Sequence, residues 1–338
     1  MSETAEQISA DSKAVLVKDL TKKFGKEIAV SDLNFYIDPG TILALIGPSG
    51  CGKTTTVRLL TGIYDPTTGQ AHVLGIPPQK FNPEHRQSIG YMTQLFTLFP
   101  DLTVMENMNF AASLYGMGIG RGKRIRELLE FVELYDDRHK LARNISGGMQ
   151  RRLALAATLV HDPQIVFLDE PTAGIDPILR RKFWDQFQEL KKQGKTLVIT
   201  TQYVNEAAYC DYVGIMSDGK LIMVSTPEGL RKRAYGGDVL MLRTKTPLTG
   251  NQTRELDKLT EVVRPVNLLQ DGSLRLIVDE ASTATPVITD WLKEQGVEIE
   301  SIEEYLPAYD DVFVKVIQDY DRETAAAAAV QTAEEVKS

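Results

Sequence analysis

Residues 47–54 form a glycine-rich segment with the composition of a phosphate-binding loop. The segment reads Gly-Pro-Ser-Gly-Cys-Gly-Lys-Thr and follows an apolar run at 42–46. Glycines let the backbone approach phosphate oxygens, and the N–H groups of a following helix point at the anion. We expect Lys53 to reach the β and γ phosphates of a nucleotide and the Thr54 hydroxyl to ligate Mg²⁺. The predicted nucleotide contacts are Gly47, Pro48, Ser49, Gly50, Cys51, Gly52, Lys53, Thr54 and Thr55.

No neighbouring His or Asp pattern would activate Cys51 as a nucleophile, so we interpret it as a small residue tolerated in the loop.

Two consecutive acids end a second apolar run. Ile165-Val166-Phe167-Leu168 is followed by Asp169 and Glu170. The carboxyl edge of a parallel sheet is where ligands of open α/β folds bind, so these acids are predicted to meet the phosphates. Asp169 is expected to hold the Mg²⁺ shell, and Glu170 to orient and polarise an attacking water. The alternative is an acid pair that only caps the next turn.

A third segment, residues 144–152, stands before a helix rich in Leu and Ala, and on its own it would indicate only a helix cap. Together with the phosphate loop and the acid pair, it resembles the signature loop of ABC transporter ATPases. The resemblance covers nearly all of residues 15–232, with the motifs in family order. It implies that a second set of nucleotide contacts comes from Ser146, Gly147, Gly148, Met149 and Gln150.

The same resemblance assigns roles to four further residues. Phe24 resembles the aromatic residue that stacks on adenine, and the alternative is a core or strand-edge Phe. Gln94 matches the glutamine that senses Mg²⁺ and the membrane partner, and Asp176 lies in the loop that communicates between subunits. Gln202 stands where the family usually carries a switch histidine. Its amide can donate a hydrogen bond to a γ-phosphate oxygen but cannot relay a proton, so proton handling is predicted to rest on Glu170.

The resemblance also implies partners. In this family the signature loop of one subunit closes over the nucleotide of its twin, which implies a homodimer that holds ATP and Mg²⁺ between two copies. Residues 106–116 and 306–315 resemble the drug- and lipid-exporting branch, the daunorubicin-resistance-type and ABCA-type pumps. That branch works with a separate transmembrane permease. The apolar residues that follow Gln94 suit a groove for a permease helix or ordinary core under a loop, namely Leu95, Phe96, Leu98 and Phe99.

Three alternatives stay open or are set aside on the sequence. An importer motor and a regulatory module with low hydrolysis both remain possible. ABC ATPases of ribosomes carry two ATPase modules, and those of DNA repair carry a long coiled coil between the motifs; this chain has neither feature. A net charge of −8 also argues against a nucleic-acid partner.

These motifs require a parallel sheet covered by helices. Short apolar runs alternate with amphipathic helices from about residue 14 to 236, and a helical subdomain is predicted at about 95–160. We therefore predict an α/β P-loop NTPase core, with a mostly parallel sheet and an antiparallel β region. Residues 237–320 alternate in the order of a small α+β, ferredoxin-like domain, with helical stretches near 252–259 and 286–295.

The remaining features concern the ends of the chain and its location. Residues 1–13 are predicted to be a flexible arm and residues 321–338 a flexible tail. The two cysteines lie far apart without a secretory signal, which favours a reducing compartment. No apolar run approaches the ~20 residues of a spanning helix. We expect the protein at the cytoplasmic face of the cell membrane, bound through its permease.

Overall fold

The structure, a computed structural model, describes residues 12–95, 98–118 and 120–335. The chain divides into two compact units, one that ends at Val224 and one that begins at Ser225. This division comes earlier than the boundary predicted after Gly236, because the helix before that glycine belongs to the second unit. Of the predicted arm, residues 1–11 lie outside the described part, and Lys13 pairs with Asp38 (2.6 Å).

The first unit contains two sheets. A three-stranded antiparallel sheet has the order β2-β1-β4, and a six-stranded sheet has the order β5-β6-β7-β3-β8-β9. Their strands are β1 (Val15–Phe24), β2 (Glu27–Ile37), β3 (Ile42–Ile46), β4 (Thr68–Val73), β5 (Ile89–Met92), β6 (Ile165–Asp169), β7 (Thr196–Thr201), β8 (Tyr212–Ser217) and β9 (Lys220–Ser225).

The centre of the six-stranded sheet is parallel and buried on both faces. Every residue of β3, β6 and β7 is buried, as expected when helices cover both sides of a sheet. Strand β7 pairs in parallel with both β3 and β6. The carboxyl ends of these strands therefore meet at one edge, where the phosphate loop and the acid pair follow β3 and β6.

In its described residues the first unit has six α-helices: α1 (Lys53–Leu60), α2 (Pro83–Gln87), α3 (Val104–Leu114), α4 (Arg121–Phe131), α5 (Gly147–Thr158) and α6 (Pro177–Lys192). Helices α3 to α5 fall within the predicted helical subdomain. Helix α3 begins at a capping box in which Thr103 and Glu106 satisfy each other's backbone N–H groups. Its buried side chains include Val104 and Met108, which share the face that packs inward.

Between residues 225 and 335, the described part of the second unit, a four-stranded antiparallel sheet is combined with four α-helices. They are α7 (Pro227–Tyr235), β10 (Asp238–Thr244), α8 (Gly250–Leu256), β11 (Val262–Leu268), β12 (Leu274–Val278), α9 (Ala281–Glu294), β13 (Ile299–Tyr305) and α10 (Tyr309–Glu335). The sheet order β11-β12-β10-β13, with all neighbours antiparallel, is that of a split βαβ unit. Leu240, Leu276 and Ile288 lie in its core.

Helix α10 differs from the predicted tail. It runs through residues 321–335, and only 336–338 of the predicted tail lie outside the described residues. The run of alanines at 325–329 explains this, since alanine has the highest intrinsic helix propensity. No helix within the described ranges combines the length and apolar character needed to cross a membrane.

Candidate functional site

The phosphate loop is closely packed where it leaves β3. A Cβ on Gly47 would lie 2.2 Å from the carbonyl oxygen of Met216, so no side chain fits there. Gly52 has φ +102° and precedes α1 without a side-chain cap. The first N–H groups of α1 therefore have no side-chain acceptor at the N-cap and are free to bind a phosphate oxygen.

Lys53 lies inside this loop. Its ammonium donates to the carbonyl oxygens of Gly47 (2.7 Å) and Pro48 (2.9 Å), and the residue is only 4% exposed. The Cys51 sulfur lies 3.9 Å from the same nitrogen. Burial raises the pKa of the Cys51 thiol, which keeps it protonated and unreactive despite the nearby lysine. This position suits an ammonium group that exchanges its carbonyl acceptors for phosphate oxygens when a nucleotide binds.

The carboxylate of Asp169 accepts hydrogen bonds from two hydroxyl groups, and both bonds are made to the same oxygen. Thr54 Oγ1 (3.0 Å) and Thr200 Oγ1 (2.5 Å) both donate to Asp169 Oδ1. Oδ2 is buried and has no hydrogen-bond partner among the residues that the structure describes. A buried carboxylate oxygen without a donor is costly unless a cation completes it. The Thr54 hydroxyl and Asp169 thus fit a Mg²⁺ ion.

That ion would need further oxygens from a ligand. Within the described ranges no group of three or more His, Cys, Asp or Glu side chains could hold a metal by itself. Mg²⁺ commonly binds one or two protein groups together with substrate phosphates, so this donor set fits a nucleotide-bound cation.

Glu170 has an unusual backbone that its neighbours hold in place. Its φ is +48°, in the left-handed region that non-glycine residues rarely adopt. The N–H of Glu170 donates to Thr200 Oγ1 (2.9 Å) and to the Thr200 carbonyl oxygen (3.1 Å). The side chain of Gln94 donates to Glu170 Oε2 (3.0 Å). The structure therefore brings the predicted Gln94 and Glu170 together at the sheet edge.

Thr200 was missed as a site residue at the sequence level, although it connects both acids. One indication was present in the sequence, a polar pair, Thr200-Thr201, directly after the apolar residues 197–199 of the strand. Arg151 was also missed; its guanidinium donates to the carbonyl oxygen of Ala173, just after the acid pair. Burial lowers the pKa of Arg151, and the nearby Glu170 carboxylate opposes that shift.

Gln202 follows β7 and is exposed. Because β7 lies between β3 and β6, the chain after Thr201 is adjacent to both the phosphate loop and the acid pair. This register brings Gln202 to the same edge of the sheet, within the region where ligands of open α/β sheets bind.

Phe24 belongs to a small aromatic and cationic cluster at the end of β1. Its ring meets Tyr64 edge to face (5.2 Å between centroids), and Lys22 Nζ lies 5.0 Å from its centre. The Phe24 side chain is 44% exposed. The residue is thus partly exposed, as stacking of its ring on a planar base requires.

Ser146 of the signature residues and Asp176 act as helix caps. Ser146 Oγ accepts the Met149 N–H at the start of α5 (3.3 Å), and Gln150 donates to the Ala142 carbonyl oxygen. Asp176 Oδ1 accepts the N–H groups of Ile178 and Leu179 at the start of α6 (3.0 Å each). None of these residues belongs to the phosphate loop of the same copy.

Comparison with known proteins decides the family. A family model described as "ABC transporter" matches residues 30–173. The "Nod factor export ATP-binding protein I" of Burkholderia lata is 36% identical over 234 residues, which cover 69% of this chain and 77% of that protein. The chain belongs to the ABC transporter family. The "Probable multidrug ABC transporter ATP-binding protein YbhF" of Escherichia coli K12 is 40% identical over 218 residues, or 64% of this chain.

The matched part of this chain, its ABC cassette, spans only 38% of the length of that E. coli relative.

Solved structures that share the fold of this chain include two ABC transporter cassettes. An ATP-binding subunit of an ABC transporter is 25% identical with a TM-score of 0.60, covering 66% of this chain and 93% of that one. A dimeric ATP-binding cassette, in a post-hydrolysis state bound to ADP and Pi, is 29% identical with a TM-score of 0.58, covering 63% of this chain and 98% of that one. The predicted P-loop NTPase core is thereby confirmed, and nucleotide binding and ATPase activity are the general properties of such cassettes.

Proposed function

We propose that this ABC cassette is the ATP-hydrolysing subunit of an exporter that moves a drug, lipid or other amphipathic substrate through a separate transmembrane permease. The observation that carries the ATPase proposal is the arrangement at one sheet edge of Lys53, Thr54, Asp169 and Glu170, with an orphaned carboxylate oxygen beside a phosphate loop. The export direction is supported by the names of the multidrug and Nod factor relatives.

Each residue has a task in this proposal. Lys53 and the α1 N–H groups bind the β and γ phosphates, and Thr54 and Asp169 hold Mg²⁺, which neutralises phosphate charge. Glu170 accepts a hydrogen bond from the attacking water and orients it, while Gln94 holds the Glu170 carboxylate. Gln202 donates a hydrogen bond to a γ-phosphate oxygen. Phe24 stacks on the adenine.

Substitution of Glu170 by glutamine tests the hydrolytic role. The amide keeps the size of the side chain but cannot accept a proton, so turnover should fall by about 100-fold or more while ATP still binds. Glu189→Gln, an exposed change on α6, should leave turnover unchanged. Measurement of phosphate release and of nucleotide retention separates the two effects. Wild-type turnover in the Glu170→Gln variant would remove Glu170 from this role.

We also propose that two copies enclose two nucleotides, with the Ser146–Gln150 loop of one copy over the phosphates of the other. Gly147 offers a clean test because a Cβ there meets no atom within 4 Å. Gly147→Glu should fold normally yet abolish dimerisation of the Glu170→Gln protein in Mg-ATP, measured by sedimentation. Gly122→Glu, equally open within the chain, is the matched control. Equal dimerisation of both variants would contradict the proposed interface.

An apolar patch on the helical subdomain supports a permease contact. Phe99 and Phe110 are partly exposed and meet edge to face (4.5 Å), and Leu114 lies one turn further along α3 with 69% exposure. Of the four predicted groove residues, Phe96 lies outside the described residues, and Leu95 is 87% exposed. A permease helix with an apolar face would cover this patch.

Copurification tests this contact and the location at the cytoplasmic face of the membrane. Leu114→Glu should reduce recovery of the permease with the cassette, whereas Ile63→Glu, at another exposed apolar position, should not. Unchanged recovery with Leu114→Glu would contradict the contact. A permease that requires a solute-binding protein would indicate an importer, and nucleotide binding without hydrolysis would indicate a regulatory module.

A further inference from the structure

A buried carboxylate lies beside the candidate site without a hydrogen bond. Glu206 belongs to a short 3-10 helix after β7, at Val204–Tyr209, and its side chain is 2% exposed. Neither of its carboxylate oxygens has a hydrogen-bond partner among the described residues. The closest basic group is Arg180, with 3.7 Å between Nε and Oε1. A buried charge with so few contacts is costly, and the Arg180 guanidinium is the cation that offsets this cost among the described residues.

Arg180 in turn contacts two loops that carry predicted site residues. Its guanidinium carbon lies 3.9 Å from the centre of the Tyr203 ring, and Tyr203 directly follows Gln202. Its Nη2 donates to the carbonyl oxygen of Ile175 (3.4 Å), which directly precedes Asp176. One side chain therefore contacts the segment after β7 and the segment before α6. The planar guanidinium suits this because it can stack and donate at the same time.

We propose that Arg180 is a positioning residue for ATP hydrolysis, which fixes Gln202 relative to the loop that contains Asp176. The inference rests on the proposed function, since it assigns Gln202 to the γ-phosphate. When a second copy engages the Asp176 loop, a displacement of Ile175 reaches Tyr203 through the guanidinium. Glu206 holds the guanidinium between the two loops. The readiness of Gln202 then depends on the presence of the partner copy.

If Arg180 and Glu206 had a purely structural role, their removal would change the stability of the protein but no single step of ATP hydrolysis in particular. A positioning role changes the rate at saturating ATP and leaves nucleotide affinity unchanged, because the contacts of Arg180 in the described part of the chain are with Ile175, Tyr203 and Glu206 and not with the phosphate loop. It also makes the effects of Arg180 and Gln202 interdependent, because the first acts through the second. These two properties distinguish the roles.

The test is a double-mutant cycle on the full chain. Removal of both charges, Arg180→Gln with Glu206→Gln, avoids leaving Glu206 buried without a cation. We expect kcat to fall about ten-fold and the Kd for ATP to stay within about two-fold of wild type. In a Gln202→Ala background the same change should lower kcat by less than about two-fold further. Lys192→Gln, an exposed charge removal on the same helix, should not change kcat.

A second variant covers the case in which the double substitution does not fold. Tyr203→Leu removes the stacked ring but keeps the Arg180–Glu206 pair, and it should show the same loss and the same dependence on Gln202. Losses that multiply in the Gln202→Ala background, or an unchanged kcat in both variants, would overturn this inference alone. A wild-type chain that does not hydrolyse ATP would refute the proposed function and the inference with it.

Discussion

Substitution of Thr200 by valine would show how much one hydroxyl contributes to the positions of Asp169 and Glu170 at the sheet edge. The hydroxyl donates to Asp169 Oδ1 (2.5 Å) and accepts the Glu170 N–H (2.9 Å), and Thr200 is fully buried. Hydrogen bonds to charged groups contribute about 1.5–3 kcal/mol, whereas the Glu170 N–H keeps the Thr200 carbonyl oxygen as a second acceptor. The variant should therefore lose about 2–3 kcal/mol of unfolding free energy.

The same substitution should affect catalysis as well as stability. A deficit of about 1.4 kcal/mol in positioning Asp169 and Glu170 corresponds to a ten-fold loss of turnover. The Mg²⁺ concentration for half-maximal hydrolysis should also rise, because Asp169 then keeps only one of its two hydroxyl donors, Thr54, and is oriented less firmly.

The control is Thr196→Val on the same strand. Thr196 is also buried, and its hydroxyl accepts the Gly40 N–H (2.9 Å), with no carboxylate as a partner among the described residues. It should cost about 1 kcal/mol and leave the Mg²⁺ dependence unchanged. Urea-induced unfolding gives the stabilities, and phosphate release over a Mg²⁺ titration gives the activities. Equal Mg²⁺ dependence in the two variants would refute the role assigned to the Thr200 hydroxyl.

Two further predictions concern stability at low pH and nucleotide affinity. Burial lowers the pKa of His161 from its usual 6.5, so the unfolded chain binds the extra proton more readily than the folded chain. The free energy of unfolding should therefore fall as pH drops below about 6.5, by at most about 1.4 kcal/mol per pH unit; His161→Gln should remove this slope in urea titrations, and the exposed His139→Gln should not. Phe24→Ala should weaken ATP binding by about two- to ten-fold through loss of one stacking surface. Ile28→Ala, an exposed neighbour on β2, should leave the affinity measured by equilibrium dialysis unchanged; equal weakening by both would argue against stacking.

The sequence was sufficient to locate the sheet edge. Continuous apolar runs at 42–46 and 165–168 indicated strands buried on both faces, and a phosphate loop and an acid pair followed them directly. Chain direction alone then places both motifs at the carboxyl ends of parallel strands. This part of the reasoning needs no knowledge of side-chain contacts.

The interior of the site could not be predicted in the same way. The bonds from Thr200 to Asp169 and Glu170 join β7 to β6, and they depend on the strand order and on the exact register of that pair. The left-handed backbone of Glu170 occurs together with those same bonds, and Glu, unlike Asp or Asn, is not enriched in this conformation. The start of α9 was also predicted wrongly. The helix was expected to begin near Pro286, but it begins at Ala281, so Pro286 lies inside it.

The cap roles of Ser146 and Asp176 are compatible with roles in a dimer. Ser146 Oγ accepts the Met149 N–H but keeps its own O–H as a donor, so it can cap α5 and donate to a phosphate oxygen at the same time. Both N–H groups at the start of α6 bond Asp176 Oδ1, so Oδ2 can accept a donor from another chain. Both residues are exposed in the single copy. The same bonds that fix these two helix starts therefore hold the free Ser146 O–H and Asp176 Oδ2 in a defined orientation, and this preorganisation lowers the entropic cost of binding a second copy.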